Sequence, residues 1–206
     1  MKSSNTFYLF STFLIFGLLI SAIAPHDYFT WILEVFPAMI ALVVIYFSHK
    51  KFPLSNLLYI LIIIHAYVLF VGGHYTYAKV PLFDTIKEVF HQQRNNYDKV
   101  GHFIQGFVPA IVAREILIRK KVVNQSGWLF FICVCICLAI SAFYELIEAF
   151  VAISTGDSAE AFLGTQGYVW DTQSDMFFAL IGAICALIIL PKLHNMSIEK
   201  VEKSKV

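Results

Sequence analysis

Charged residues are scarce in this 206-residue chain, only 14% of it, against about a quarter in soluble domains. So few charges cannot cover a composition that is 59% hydrophobic, which excludes an ordinary water-soluble protein. A basic excess is lacking as well. The formal net charge is +1, whereas a nucleic-acid partner calls for a basic patch or stripe. Cysteine is sparse: Cys133, Cys135, Cys137 and Cys185 all fall inside apolar runs, so no disulfide framework is implied. On a helix Cys135 would face away from Cys133 and Cys137, and no polar residue accompanies them. These thiols read as small packing residues. There is no internal repeat, low-complexity segment or stretch resembling a soluble domain.

Long apolar runs are what the chain has. Six approach the roughly 20 residues a helix needs to cross a bilayer, over 7–24, 31–48, 57–73, 98–118, 128–153 and 171–190. The expected fold class is therefore all-α: a polytopic membrane protein, a six-transmembrane-helix bundle forming a single membrane domain over 1–206. The first run follows Lys2 and ends on Ala22-Ile23-Ala24, like a signal peptide. It is long for one, and Pro25 disfavours cleavage, so it reads as a retained helix.

Lys and Arg in alternate connections set the expected orientation. Lys50 and Lys51, then Arg119, Lys120 and Lys121, then Lys192, Lys200, Lys203 and Lys205 mark one side. The connections around His26–Asp27 and 154–170 have neither Lys nor Arg, only acids such as Asp157 and Glu160. Both termini are thus expected in the cytoplasm. The connection 74–97 breaks the pattern with Lys79, Lys87 and Arg94 among Asp84 and Glu88. Its Ile86, Val89 and Phe90 after Pro81 predict a short amphipathic helix in the outer interface.

Ionisable residues within membrane helices are expensive and mark candidate sites. Asp98 and His102 are four apart with Gln105 on the same face, Glu145 and Glu148 are three apart, and Asp171 and Asp175 are four apart. Glu145 lies 17 residues beyond Trp128, about 26 Å along a helix. With the expected orientation, all six reach the non-cytoplasmic ends of the last three long helices. Nearby glycine and aromatic stretches, Gly72 to Tyr77 and Gly164 to Trp170, suit close turns at an interface.

The segments GGHYTYAKVP (72–81), RNNYDKVGHFIQGFVPAIVAREIL (94–117), ISAFYELIEAF (140–150) and AFLGTQGYVWDTQSDM (161–176) resemble the YjdF-like bacterial inner-membrane family, formerly filed as a domain of unknown function. The resemblance covers most of the chain from the third run onward. It implies a compact multi-pass protein of the bacterial cytoplasmic membrane and supplies no reaction. Tyr168 stands where the family often carries Asp, and Ser174 where it often carries Trp. The order of acidic and His residues is also similar, more distantly, to VanZ-like membrane proteins.

Asp98, His102, Glu145, Glu148, Asp171 and Asp175 are the candidate catalytic and metal-ligating residues. His74, Tyr75, Tyr77, Lys99, Gln105, Gln166 and Trp170 are candidates for substrate contact. Five carboxylates beside one His and one Lys leave excess negative charge, which protonation or a bound cation would relieve. Oxygen and nitrogen donors suit Mg, Mn or Zn. Such a metal would polarise a phosphate or ester oxygen of a lipid or lipid-linked substrate. Two alternatives stand beside this: an interhelical hydrogen-bond network in a lipid-binding protein, and a cation or proton path. Arg114, Arg119, Lys120 and Lys121 are expected to reach anionic headgroups at the inner face. No His stands at a nucleophile-like spacing from Ser141 or Ser154, so a serine hydrolase is not expected.

Overall fold

The computed structural model describes residues 3–124, 127–155, 160–163 and 165–203. Lys2, Asp157, Gly164 and Lys205, used in the sequence reading, lie outside the described residues. The helices are α1 (Ser3–Ser21), α2 (Tyr28–Ser48), α3 (Asn56–Tyr75), α4 (Pro81–Val89), α5 (Tyr97–Arg119), α6 (Gly127–Thr155), α7 (Glu160–Leu163), α8 (Asp171–Ile189) and α9 (Pro191–Lys203), with a 3-10 turn at Tyr77–Lys79. No strand occurs among the described residues. Helices α2, α3, α5, α6 and α8 are long and apolar enough to cross a membrane, while the first expected run is the shorter apolar stretch Thr6–Ser21 within α1. The chain is a polytopic helical membrane protein.

Local chemistry explains several boundaries. The Asp27 carboxylate accepts the Thr30 N–H at 2.6 Å and caps α2. Ser55 does the same for Leu58 at the start of α3. Pro81 opens α4, where its missing N–H has no helical partner to lose. That helix matches the short segment expected over 81–90, and Leu82, Val89 and Phe90 are exposed on it.

Helix α5 is the axis of the packing. Half of its apolar window is buried, against 22% for α6, so α5 is enclosed by helices and α6 lies on the periphery. It packs chiefly on α8 and also on α3 and α6. The approach to α8 is close because both sides are bare: a Cβ on Gly106 would lie 1.8 Å from the Ala179 carbonyl oxygen, and one on Gly182 1.9 Å from that of Phe103. Small residues at membrane helix contacts allow such proximity. Cys133 and Cys137 are buried in this core and Cys135 is exposed, as the helical spacing predicts. The Tyr77 ring lies between α3 and α5, where a Cβ on Gly72 or Gly101 would meet it at 2.1 or 2.6 Å.

The basic end of the bundle departs from expectation. Residues after 190, read only as a basic tail beyond the sixth run, form α9, which folds back onto α3 and α8. His194 and Glu115 are wholly buried there, and Arg114 nearly so. Arg114 Nη1 donates to His194 Nδ1 at 2.9 Å and its Nη2 to Asn195 Oδ1 at 2.8 Å. Glu115 accepts from His194 Nε2 at 2.9 Å, from Ser55 N at 2.9 Å and from Arg119 at 2.6 Å. Arg119 also donates to the Pro53 carbonyl and stacks on Phe52 at 4.0 Å. Arg114 and Arg119 therefore bind protein groups and do not reach for headgroups. For Arg114 the reason is the returning helix, which supplies His194 and Asn195, and for Arg119 it is the Pro53 carbonyl and Glu115 one turn back on α5. Lys120 and Lys121 are exposed, as expected.

Candidate functional site

At the opposite, acidic end, the first turns of α5 and α8 face each other, and the latter part of α6 closes the space. Asp98, Lys99, His102, Glu145, Asp171 and Asp175 are all buried, and Glu148 is half-buried. Helical spacing puts Asp98, His102 and Gln105 on one face of α5. Proximity of α5 to α8, set by Gly106 and Gly182 deeper in the bundle, brings Asp171 and Asp175 to that face.

The two aspartates nearest His102 are each shared between the imidazole and basic side chains. Asp98 Oδ2 lies 3.5 Å from Arg94 and 3.9 Å from Lys99, while its Oδ1 lies 3.3 Å from His102 Nε2. Asp175 Oδ1 accepts from Lys99 Nζ at 2.7 Å, while its Oδ2 lies 3.8 Å from His102 Nε2. Asp171 Oδ1 takes both Arg94 and Lys99, the latter at 3.3 Å. In Asp98 and Asp175, one oxygen is thus held by a fixed cation and the other turns towards the imidazole.

His102 Nδ1 is 2.8 Å from Gln105 Oε1. An amide oxygen only accepts, so Nδ1 carries a proton and donates it. Nε2 then faces Asp98 Oδ1 and Asp175 Oδ2 either as the lone pair of a neutral ring or as the second N–H of an imidazolium. Ligand atoms of Asp98, His102 and Asp175 lie within 4.8 Å of one another, and so do those of His102, Glu145 and Glu148. Among the described residues, these two sets of side chains are close enough to hold a metal ion.

Glu145 is the least compensated member. Its Oε1 is buried without a hydrogen-bond partner and lies 4.0 Å from His102 Nδ1. The Glu148 carboxylate lies within 4.8 Å of it. Two like charges at that separation repel by about 3–4 kcal/mol at an effective dielectric of about 20. No lysine or arginine pairs with either glutamate among the described ion pairs.

Two further members come from outside α5, α6 and α8. Arg94, from the segment before α5 and four residues before Asp98, bridges Asp98 and Asp171. Glu34 of α2 is buried, accepts from the Tyr144 hydroxyl at 3.4 Å, and lies within hydrogen-bonding reach of Tyr77. No sequence spacing connects position 34 to position 98.

The remaining candidates are divided in place. Lys99 and Gln105 sit in the cluster. Tyr77 backs it through Glu34. Gln166 forms two hydrogen bonds to the Asn95 backbone, 3.0 and 2.9 Å, and fixes the approach to α5. Asn95 itself is fully buried and holds the Val80 carbonyl and Asp84. Trp170 is exposed at the start of α8. Tyr168 lies over Arg94 and Lys99, 5.4 and 5.5 Å from its ring centre. His74 turns away, its Nδ1 3.0 Å from the Ser21 carbonyl, and Tyr75 is exposed beside it.

Comparison with known proteins bears on what carries this arrangement. Residues 6–196 match the family described as "Predicted membrane protein (DUF2238)". The inner membrane protein YjdF of Escherichia coli (strain K12) is 50% identical over 177 residues, covering 86% of this chain and 85% of that one. No solved structure matches. With the family match spanning nearly the whole chain and every polar residue of the acidic end inside it, this chain belongs to the YjdF-like family of multi-pass inner-membrane proteins.

Proposed function

We propose that this protein crosses the inner membrane six times as one domain, with both termini cytoplasmic, and holds a divalent cation at the non-cytoplasmic ends of α5 and α8. The ligands are Asp98 Oδ1, His102 Nε2 and Asp175 Oδ2. The observation that carries this reading is the convergence of those three atoms on one another. Each ligand is also fixed from behind: His102 by Gln105, Asp175 by Lys99, and Asp98 by Arg94 and Lys99. Outer partners of this kind orient metal ligands and set the imidazole tautomer. The donor set suits Mg, Mn or Zn.

A cation there would supply a Lewis acid at the depth of lipid headgroups. The chemistry best suited is hydrolysis or transfer at an ester or phosphoester of a lipid or lipid-linked substrate. Trp170 and Tyr168 at the mouth are partly exposed and offer it an aromatic border. Lys99 and Arg94 also favour a second reading, since their ion pairs would fix the helices as a purely structural network, with His102 as an imidazolium.

Elemental analysis of the purified protein separates the two. The enzyme reading expects stoichiometric metal that Asp175→Asn and His102→Ala remove with modest loss of thermal stability. A metal-free parent whose Asp175→Asn variant melts much earlier would establish the structural network instead. The orientation has its own check: reporter fusions in the loop 154–170 should be active on the non-cytoplasmic side, and cytoplasmic reporters would refute it.

A further inference from the structure

We infer that the acidic site is binuclear: a second divalent cation binds Glu145 and Glu148 of α6, beside the one proposed on Asp98, His102 and Asp175. This rests on the cation reading of the site. The Glu145–Glu148 pair has a vacancy of charge that the aspartates lack. Asp98, Asp171 and Asp175 each have Lys99 or Arg94 within ion-pair distance. Glu145 has only the imidazole of His102, at 4.0 Å. Glu145 is 7% exposed, and its Oε1 is buried with no hydrogen-bond partner even though the Thr172 hydroxyl reaches the same carboxylate. A buried, unpartnered carboxylate oxygen aimed at the imidazole side of the site calls for a cationic ligand.

The geometry also divides the two positions. The ligand atoms of Glu145, Glu148 and His102 lie within 4.8 Å of one another, and the two candidate groups share His102 alone. Its two nitrogens face opposite ways: Nε2 towards the aspartates, Nδ1 towards Gln105 Oε1 at 2.8 Å and Glu145 Oε1 at 4.0 Å. Since Nδ1–H donates to Gln105, the second position is left with oxygen donors. An oxygen-only set selects a hard cation, Mg or Mn, whereas the imidazole-bearing first position also accepts Zn. Carboxylates from facing helices hold paired metals in other helical bundles.

The test is equilibrium dialysis of the full-length protein in detergent against Mn2+, followed by elemental analysis and electron paramagnetic resonance. The expected result is two Mn2+ per chain in the parent and one in Glu145→Gln/Glu148→Gln. One Mn2+ per chain in the parent, unchanged in that variant, would overturn the second position and leave the first standing. No bound Mn2+ in the parent would overturn both. If the variant does not fold, the parent's spectrum decides. An exchange-coupled signal appearing between one and two equivalents supports the pair. An uncoupled six-line signal at two equivalents overturns it.

Discussion

Replacing Gly106 by Ala tests how much of the acidic site depends on a single backbone contact. The added Cβ would lie 1.8 Å from the carbonyl oxygen of Ala179, and a backbone oxygen cannot step aside by changing rotamer. Restoring ordinary contact requires α5 and α8 to part by on the order of 1 Å. Overpacking of this type costs about 1–3 kcal/mol, while the higher helix propensity of Ala returns about 1 kcal/mol. The clash wins, because separation also loosens Ala183 and Ala186, which are fully buried on the same helix. His102 and Asp175 stand one turn from Gly106 and Ala179, so the same opening lengthens the Lys99–Asp175 bond of 2.7 Å and moves two proposed ligands apart. Disturbed outer-shell support typically lowers metal affinity about 10–100-fold. Thermal unfolding in detergent, followed by reaction of Cys133 and Cys137 with a thiol-specific dye in a Cys135→Ala/Cys185→Ala background, measures the stability. Both thiols are buried and become reactive on unfolding. Gly127→Ala is the control, since its Cβ would meet nothing within 4 Å. A Gly106→Ala protein that unfolds with its parent would refute the close α5–α8 approach.

Two further outcomes are expected. His194→Ala removes one buried partner from Arg114 and one from Glu115, which keep Asn195 on the one side and Arg119 and Ser55 on the other. Losing a buried hydrogen bond to a charged group costs about 1.5–3 kcal/mol, read as release of α9 and rapid proteolysis near Lys192 and Lys200. Unchanged protease resistance would show that α9 is held by other contacts. Asp27→Ala removes the cap of α2, worth about 1 kcal/mol, and should appear as a lower unfolding midpoint. Accepting the Thr30 N–H holds the Asp27 carboxyl below its ordinary range. The cap's contribution is therefore complete above that range and fades as pH falls through it, so parent and Asp27→Ala midpoints should converge in acid.

Hydropathy determined the class of this protein, because burying roughly 20 consecutive apolar residues in lipid is a local property of the sequence. The expected helix positions agree with the structure to within a few residues at most ends, and the short helix after Pro81 formed where its apolar spacing placed it. Helical periodicity likewise made Asp98, His102 and Gln105 one face before any partner was known, since positions three and four apart meet on any α-helix. What lies across the bundle was not legible in this way. Arg94 and Glu34 join the acidic end across separations of 77 and 110 residues, from Arg94 to Asp171 and from Glu34 to Tyr144. Arg114 turned from the headgroups to His194 because α9 returned, a fold-back that no local pattern near Arg114 signals. The division of Asp98 and Asp175 between a fixed cation and His102 depends on an interhelical approach that two glycines permit and only packing can set. Composition and spacing determined which groups exist and which share a face; the tertiary structure decided which of them meet, because those contacts join residues far apart in the chain at distances fixed by helix packing.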